Sequence, residues 1–398
     1  MARVPLPKKG CFTSSYPSAE WQEVPCKTAP ARPYPPARGP RPNTVGNGND
    51  VSAQVTGQIS TAVGSFDSVT GVTSESGTTG GANAFSLQLN ANFFNTSVCS
   101  GATNPSQCQG WQQFVYSNVV GPHLAFMQYW LINYGSTCPS GWFAYQGSCF
   151  TNSNAVSVPA QTIANLGNLS LLGAANSGGM DTFIMATGSD LYSVQNEDSV
   201  VNLAQGWQVA EFNVVGDCCG SQANFNSGST IVVRTSVDHG SPNAPSCYGG
   251  GFTGETNNLI FANAPIAERR TSPAIVFTES SAGTSSACAS ATSVASGELT
   301  DTHDFNGDGK SDILWLNTNG TVTIWEMNGG QVLATVGGQV VSNAWTIVGT
   351  GDFNGDGKSD ILWRNTNGTV AIWEMNGGQL LASVGGQVVS AFLWTLVQ

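Results

Sequence analysis

Asp-Phe-Asn-Gly-Asp-Gly-Lys-Ser-Asp occurs twice, at residues 304–312 and 352–360, and no other feature constrains the chain as tightly. The two copies belong to a longer repeat. Asp304–Ser342 matches Asp352–Ser390 at a period of 48, with four differences: Leu316/Arg364, Thr323/Ala371, Val332/Leu380 and Thr335/Ser383. Each copy sets oxygen-bearing side chains at loop positions 1, 3, 5 and 9. These are Asp304, Asn306, Asp308 and Asp312 in the first copy and Asp352, Asn354, Asp356 and Asp360 in the second. The intervening glycines let the backbone wrap around one point. Four hard oxygen donors on a short loop, joined by the carbonyl of Lys310 or Lys358, form the donor set that Ca²⁺ takes. The alternative is an Asn/Asp/Gly turn with no ion, and finding the loop twice in the same context argues against it.

An EF-hand needs a Glu at loop position 12 and a helix beyond it. Trp315 and Trp363 stand there, followed by strand-like sequence, so that reading fails. Each unit instead offers four short strands: Asp-Ile-Leu-Trp, Thr-Val-x-Ile-Trp-Glu-Met, Gln-x-Leu-Ala-x-Val and Trp-Thr-x-Val. On these residues the last quarter of the chain resembles the FG-GAP/VCBS repeats of integrin-type β-propellers. The resemblance implies one four-stranded blade per repeat, with Ca²⁺ held in the Asp-rich loop between strands. Such propellers close with six or seven blades, whereas this chain offers two, and one repeat cannot bury its own faces. The sequence stops at Trp394-Thr-Leu-Val-Gln398, where a further loop would begin. A truncated chain is one expectation, and a partial propeller leaning on the preceding domain or on another copy is the other.

The rest of the chain is also built for strands. Only 10% of residues are Asp, Glu, Lys or Arg, so polarity comes from Asn, Ser, Thr, Gln and 48 glycines, a composition of short strands and many turns. Residues 1–45 hold 10 of the 18 prolines and a net charge of +5, leaving −17 on the remainder. That stretch is expected to be a Pro-rich, semi-ordered basic arm. So acidic a body excludes nucleic acid as partner. From 46 to 280, runs such as Phe85–Phe93, Trp111–Tyr116, Leu124–Tyr134, Trp207–Val215, Ser229–Val237 and Ala274–Thr278 alternate or run apolar between Gly/Ser/Asn breaks. Ala160–Ala175 fits either a short helix or a pair of strands. A two-sheet β-sandwich is expected here, then a Ser/Ala/Thr linker over 281–300 and two propeller-type blades over 301–398. The fold class is all-β.

Ten cysteines in so weakly charged a chain indicate disulfides and an oxidising compartment. Cys11 and Cys26, Cys99 and Cys108, and Cys138 and Cys149 are close enough to staple local loops. The adjacent Cys218 and Cys219 fit one tight turn or two separate bridges, and Cys247 and Cys288 remain. Connectivity is not derivable from spacing. Met1–Gly10 carries charge without an apolar stretch, so export needs another start or another route. No run is long enough to span a bilayer.

No nucleophile motif, His-Glu-x-x-His or phosphate loop occurs, and three histidines are too few to anchor a histidine-rich site. Gln109-Gly-Trp-Gln-Gln-Phe-Val-Tyr, Phe126-Met-Gln-Tyr-Trp-Leu-Ile-Asn-Tyr and Ala210-Glu-Phe-Asn-Val-Val resemble strand motifs of glutamic-peptidase sandwiches of the neprosin and eqolisin types. The resemblance implies a Glu paired with a second Glu or a Gln in a sheet groove, activating water. Gln109 and Gln128 stand where such enzymes carry Glu, and an amide is no general base. Glu211 and Glu255 are the remaining candidate carboxylates. The leading expectation is a secreted, disulfide-stabilised Ca²⁺-binding protein that binds an extracellular protein or glycan surface, or associates with itself through the open propeller end. A secreted hydrolase with the repeats as accessory module is the alternative, and repeats stacking between chains is the third.

Overall fold

The run from Phe85 that alternates apolar and polar side chains does form a strand, Phe85–Ala91, but every residue in it is buried. Its apolar side chains face a second sheet and its polar ones face covering chain, and this double cover is the main fact of the fold. The computed structural model describes residues 8–15, 20–78, 81–119, 121, 123–262, 272–283, 288–291 and 303–388. The chain divides into two units, Met1–Ser293 and Val294–Gln398.

In the first unit, nine of the described strands make one sheet. Its spatial order is Phe143–Tyr145, Ser148–Ser157, Leu124–Ile132, Gln109–Ser117, Phe85–Ala91, Val209–Gly216, Val51–Gln54 and Ser246–Gly249, with Lys27–Thr28 added beside Ser148–Ser157. A ten-stranded sheet runs Gln22–Val24, Gly10–Ser15, Asp190–Glu197, Met180–Thr187, Leu169–Ala174, Thr61–Thr70, Thr230–Asp238, Ala274–Ser280 and Ile260–Phe261, with Cys288–Ala291 also paired to Ala274–Ser280. All their pairings are antiparallel, as the alternating patterns demand. Leu87, Leu89, Phe114, Met127, Phe212 and Val214 of the nine-stranded sheet share one core with Phe66, Leu171, Phe183, Met185, Val233 and Phe277 of the other. The Phe66 and Phe212 rings lie 5.2 Å apart. Burying each such side chain contributes about 1.5–3 kcal/mol. Ala160–Ala175 resolves into a 3₁₀ turn, Ile163–Asn168, followed by the strand Leu169–Ala174.

The Pro-rich stretch differs from a semi-ordered arm. Gly10–Ser15 pairs with Asp190–Glu197 in one sheet, and Lys27–Thr28 pairs with Ser148–Ser157 in the other. The Cys11–Cys26 disulfide joins the two segments. Cys99–Cys108, Cys138–Cys149, Cys218–Cys219 and Cys247–Cys288 complete the five bridges. The last ties the start of the Ser/Ala/Thr linker to the sandwich; residues 292–300 lie outside the described residues.

The second unit contains two antiparallel sheets. The first has, among the described residues, Ile313–Leu316, Thr321–Asn328 and Gln331–Val340; the second has Trp345–Gly351, Asp360–Asn365, Thr369–Asn376 and Gln379–Val388. The Trp-Thr-x-Val strand of the first repeat therefore differs from expectation: it pairs with Asp360–Asn365 of the second repeat instead of completing its own sheet. Phe305, Val322, Ile324, Ile361, Trp363 and Met375 form their shared core. The second copy of the Trp-Thr-x-Val strand, at Trp394, lies outside the described residues.

Candidate functional site

Register across the nine-stranded sheet decides what stands beside Glu211. Glu211 is opposite Asn90, Asn90 opposite Gln113, Gln113 opposite Gln128, and Gln128 opposite Asn152. One carboxylate and four amides therefore form a straight row over five adjacent strands. Because strand side chains alternate, the row lies on the face turned away from the apolar core. Apolar rows flank it: Trp111, Trp130 and Phe150 on one side, Val115, Phe126 and Ala155 on the other. The result is a polar channel between two apolar banks. The amides are held in place, with the indole Nε1 of Trp130 shared between Gln113 Oε1 (3.1 Å) and Gln128 Oε1 (3.0 Å).

A strap of extended chain, residues 29–38, lies over this channel. Asn152 donates to the carbonyl of Pro30 (2.8 Å) and Gln128 Nε2 to that of Arg32 (2.9 Å), while Gln128 Oε1 accepts from Tyr34 N–H (2.7 Å). Farther along, Cys219 N–H donates to Pro33 O (3.0 Å), Gly254 N–H to Pro35 O (2.7 Å), and Ala37 N–H to Phe252 O (2.7 Å). The prolines at 30, 33, 35 and 36 fix an extended backbone and bring no N–H that needs a partner. Tyr34 anchors the strap. Its ring packs on Phe126 with Val115, Leu124 and Cys218, and its hydroxyl donates to Asp217 Oδ1 (2.9 Å).

Both predicted carboxylates are buried in this region, rather than solvated on an edge or turn. Glu211 Oε2 accepts from Asn90 Nδ2 (3.0 Å), Phe252 N–H (2.9 Å) and Thr253 N–H (3.2 Å). Thr253 also reaches Glu255: its Oγ1 lies 2.5 Å from Glu255 Oε2 and 2.8 Å from Gln88 Oε1. A hydroxyl carries one proton, so it cannot donate to both. The arrangement closes if Glu255 is protonated, donating to Thr253 while Thr253 donates to Gln88. Burial pushes Glu255 up to about 7, although its ionised form would be favoured by accepting from Thr253 and from Gly220 N–H (3.0 Å). Burial also raises Glu211, and raises Asp50 further with the charges of Glu211 and Glu279 adding to it. Glu211 Oε1 has no fixed donor; a protonated Asp50 carboxyl is the group that supplies one, and its bond favours the charged Glu211. Gly251 closes this pair over. A Cβ there would stand 2.1 Å from Glu211 Oε1 and 2.8 Å from Asp50 Cβ, so only glycine lets the loop approach.

Cys218 and Cys219 sit in one bridged turn with φ of 60° and 64°. Cys219 N–H holds the strap and the next N–H, of Gly220, holds Glu255, so one turn serves both. Gln109 lies on the same strand as Gln113, and Gln128 is a strap-binding amide rather than a base. Sequence reasoning missed Asp50, Gln88, Asn90, Gln113 and Thr253. The signal was the even spacing of Gln88 and Asn90 in Ser-Leu-Gln-Leu-Asn, which reads as a solvent face.

The Asp-rich loops wrap as expected, with φ of 79° and 82° at Gly307 and Gly309 and 77° and 83° at Gly355 and Gly357. Their oxygens brace the loop itself. Asp304 accepts from Gly307, Asp308 and Gly309 N–H, and Asp352 from Gly355, Asp356 and Gly357. Asn306 and Asn354 accept from Asp308 and Asp356 N–H. The position-9 aspartates are buried struts: Asp312 spans Phe305 and Met327 N–H, and Asp360 spans Phe353 and Met375 N–H. Lys310 Nζ pairs with Asp308 (3.1 Å). Among the described residues, no three His, Cys, Asp or Glu side chains converge as a metal cage. The donor set nonetheless fits Ca²⁺ in kind, being all hard oxygen, and an oxygen that accepts one N–H keeps a second lone pair.

No curated protein and no solved structure matches the chain. A family match falls wholly within the second unit: residues 304–363 match the model of an FG-GAP-like repeat.

Proposed function

We propose that the first unit is a secreted, acid-acting peptide hydrolase whose groove is held shut by its own strap, and that the FG-GAP-like repeats are its Ca²⁺-binding adhesion module. One observation carries the reading: an extended polypeptide lies bound by its main-chain groups along a polar row that ends at Glu211, beside Glu255. A groove that grips main-chain groups takes peptides by their backbone, with side-chain pockets adding selectivity. The pairing is the one that the glutamic-peptidase resemblance implies, with the carboxylates at Glu211 and Glu255. Glu211, given three N–H donors, takes a proton from water as the water oxygen adds to the scissile carbonyl carbon. Gln88 Nε2 supports the oxyanion, and protonated Glu255 gives its proton to the leaving nitrogen as the C–N bond breaks. Five disulfides support an oxidising, extracellular setting. No helix among the described residues is long and apolar enough to cross a membrane.

Lys27 and Arg38 flank the strap and are exposed, whereas the bond after Arg32 is protected by Pro33. Trypsin is therefore expected to free the strap and uncover activity on an unfolded protein at acidic pH. Glu211→Gln and Glu255→Gln should each lose that activity. A nicked, folded wild type with none removes the hydrolase reading, and full activity in both variants removes the two assignments. In the second reading, the repeats' exposed Trp315 and Phe353 favour binding to an extracellular protein or glycan surface as the whole function.

A further inference from the structure

Tyr34 is the one long side chain of the strap that is wholly enclosed. It is 0% exposed, and Pro35 and Pro36 beside it are buried, while Ala31, Arg32 and Arg38 stand in solvent. Its ring fills a pocket on the strap-covered face of the nine-stranded sheet, apart from the core between the two sheets. Val115, Leu124, Phe126, Ala155 and Cys218 wall this pocket, with the Phe126 ring 6.0 Å away. The floor is polar. Asp217 is buried there, and its Oδ1 accepts from the Tyr34 hydroxyl (2.9 Å) and from Ser117 Oγ (2.6 Å). Asp217 Oδ2 has no hydrogen-bond donor among the described residues, and Arg32 Nη1 stands 3.7 Å from it in a half-exposed position. A phenylalanine ring would touch the same walls and leave Oδ1 with Ser117 alone. A site built to bond a hydroxyl rejects the analogue that lacks it, because the site's own buried group then goes unmet.

Backbone contacts fix where a side chain in this pocket stands relative to the carboxylates. The peptide unit entering Tyr34 is gripped on both edges, its N–H by Gln128 Oε1 and its carbonyl, of Pro33, by Cys219 N–H. Pro35 O then accepts from Gly254 N–H, Pro36 pairs across from Thr253, and Ala37 N–H donates to Phe252 O. Phe252 and Thr253 are the residues whose N–H groups hold Glu211, and the Thr253 hydroxyl meets Glu255. The carboxylates therefore serve the stretch of bound chain that lies one to three residues beyond the ring.

We propose that the Tyr34 pocket is a tyrosine-selecting subsite of the groove, so that the peptides it takes carry a Tyr one to three residues before the bond that lies over Glu211 and Glu255. The place of that bond rests on the hydrolase reading, whereas the choice of side chain does not, so the two are tested apart. In the full chain, Tyr34→Ala empties the pocket and removes the strap's ring anchor. Binding of a peptide of residues 28–38 is then read by calorimetry at pH 8, above the value at which Glu255 gives up its proton. Saturable binding is expected, with the peptide's Tyr34→Phe form weaker by about tenfold or more and its Tyr34→Ala form weaker still. Asp217→Asn makes the hydroxyl's bond a neutral one and should narrow the gap between the Tyr and Phe forms. The two side chains alone, p-cresol and toluene, are small enough to enter under a strap that stays in place, and p-cresol should bind tighter by a like factor. If Tyr34→Ala does not fold, trypsin-nicked wild type exchanging its strap for the same peptides replaces it. Equal binding of the Tyr and Phe forms, equal binding of p-cresol and toluene, or no saturable binding overturns the proposal. Cuts mapped on an unfolded protein at acidic pH should fall one to three residues after Tyr. Cuts scattered without regard to Tyr remove the subsite and leave the hydrolase, whereas Tyr-selective binding without cleavage keeps the subsite and removes the hydrolase.

Discussion

Glu255 shows how much one residue's chemistry depends on what lies over it. In Thr-Gly-Glu-Thr it reads as a turn residue in water, yet it is buried against Thr253, Gln88 and Gly220, and burial lifts it to about 7. A carboxyl raised in the folded state contributes stability below its ordinary value, here 4.5, and that stability is lost as pH rises through 7. Glu255→Gln keeps the shape, can donate to Thr253 as the protonated acid does, and cannot ionise. The variant is expected to match the wild type at pH 5 and to exceed it at pH 8. The gain should be on the order of 3 kcal/mol, since each pH unit between the ordinary and the raised value corresponds to about 1.4 kcal/mol. Urea unfolding at both pH values measures it. An equal effect at both would mean that Glu255 does not change its charge between them. The two acids were legible as candidates because few carboxylates stand on the sandwich strands. Asp50 and Thr253 were not, since Asp50 is defined by Asn213, 163 residues away, and Thr253 by Gln88, 165 residues away.

At the scale of elements, periodicity served well where one face of a strand met the core and failed where both faces were covered. Phe85–Ala91, Val209–Gly216 and Thr230–Asp238 fall close to the expected runs. Ser148–Ser157, rich in Ser and Asn, does not announce itself as a strand beside the groove. The proline-rich stretch is extended, as its composition implies, but not loose, because composition fixes φ and not what the backbone hydrogen-bonds to. Its tether is testable. Gln128→Leu removes the bonds to Tyr34 N–H and Arg32 O together, and each such bond is worth about 0.5–1.5 kcal/mol. Faster amide exchange at Tyr34 and faster trypsin cutting at Arg38 are expected, with the global melting point little changed because the core lies on the sheet's other face. Unaltered exchange would mean that Tyr34's ring and hydroxyl hold the strap by themselves. The Asp-rich loops were the most legible elements of all, since their glycines, turns and flanking strands stand where the motif put them. Chelation by EDTA is expected to lower the melting point of the repeat unit and leave the sandwich unchanged, as calorimetry resolves two units. Identical curves would leave the loops as self-braced turns.

For the molecule as a whole, the sum of these carboxyls matters more than its net charge of −12. Burial raises Asp50, Glu75, Asp181, Glu211, Asp217, Glu255 and Glu279, all in the first unit. Glu75 and Glu255 reach about 7, and Asp181 and Glu279 about 8, the charge of Asp198 adding to burial at Asp181. All seven move upward, so the first unit is most stable with its acids protonated and weakens as pH rises from about 4.5 through 8. The exposed pairs that acid would break, Lys8–Glu23 and Lys9–Glu197, are half-exposed and worth little. In the second unit the raised groups are Asp312 and Asp360, and at each the rise from burial is opposed by hydrogen bonds from two backbone N–H groups. The two units should therefore separate by pH. Scanning calorimetry at pH 5 and pH 8 is expected to show the sandwich transition falling by several degrees while the repeat transition moves less. A sandwich transition that stays level or climbs with pH would contradict the buried, protonated groove, and with it the assignment of an acid-side working range.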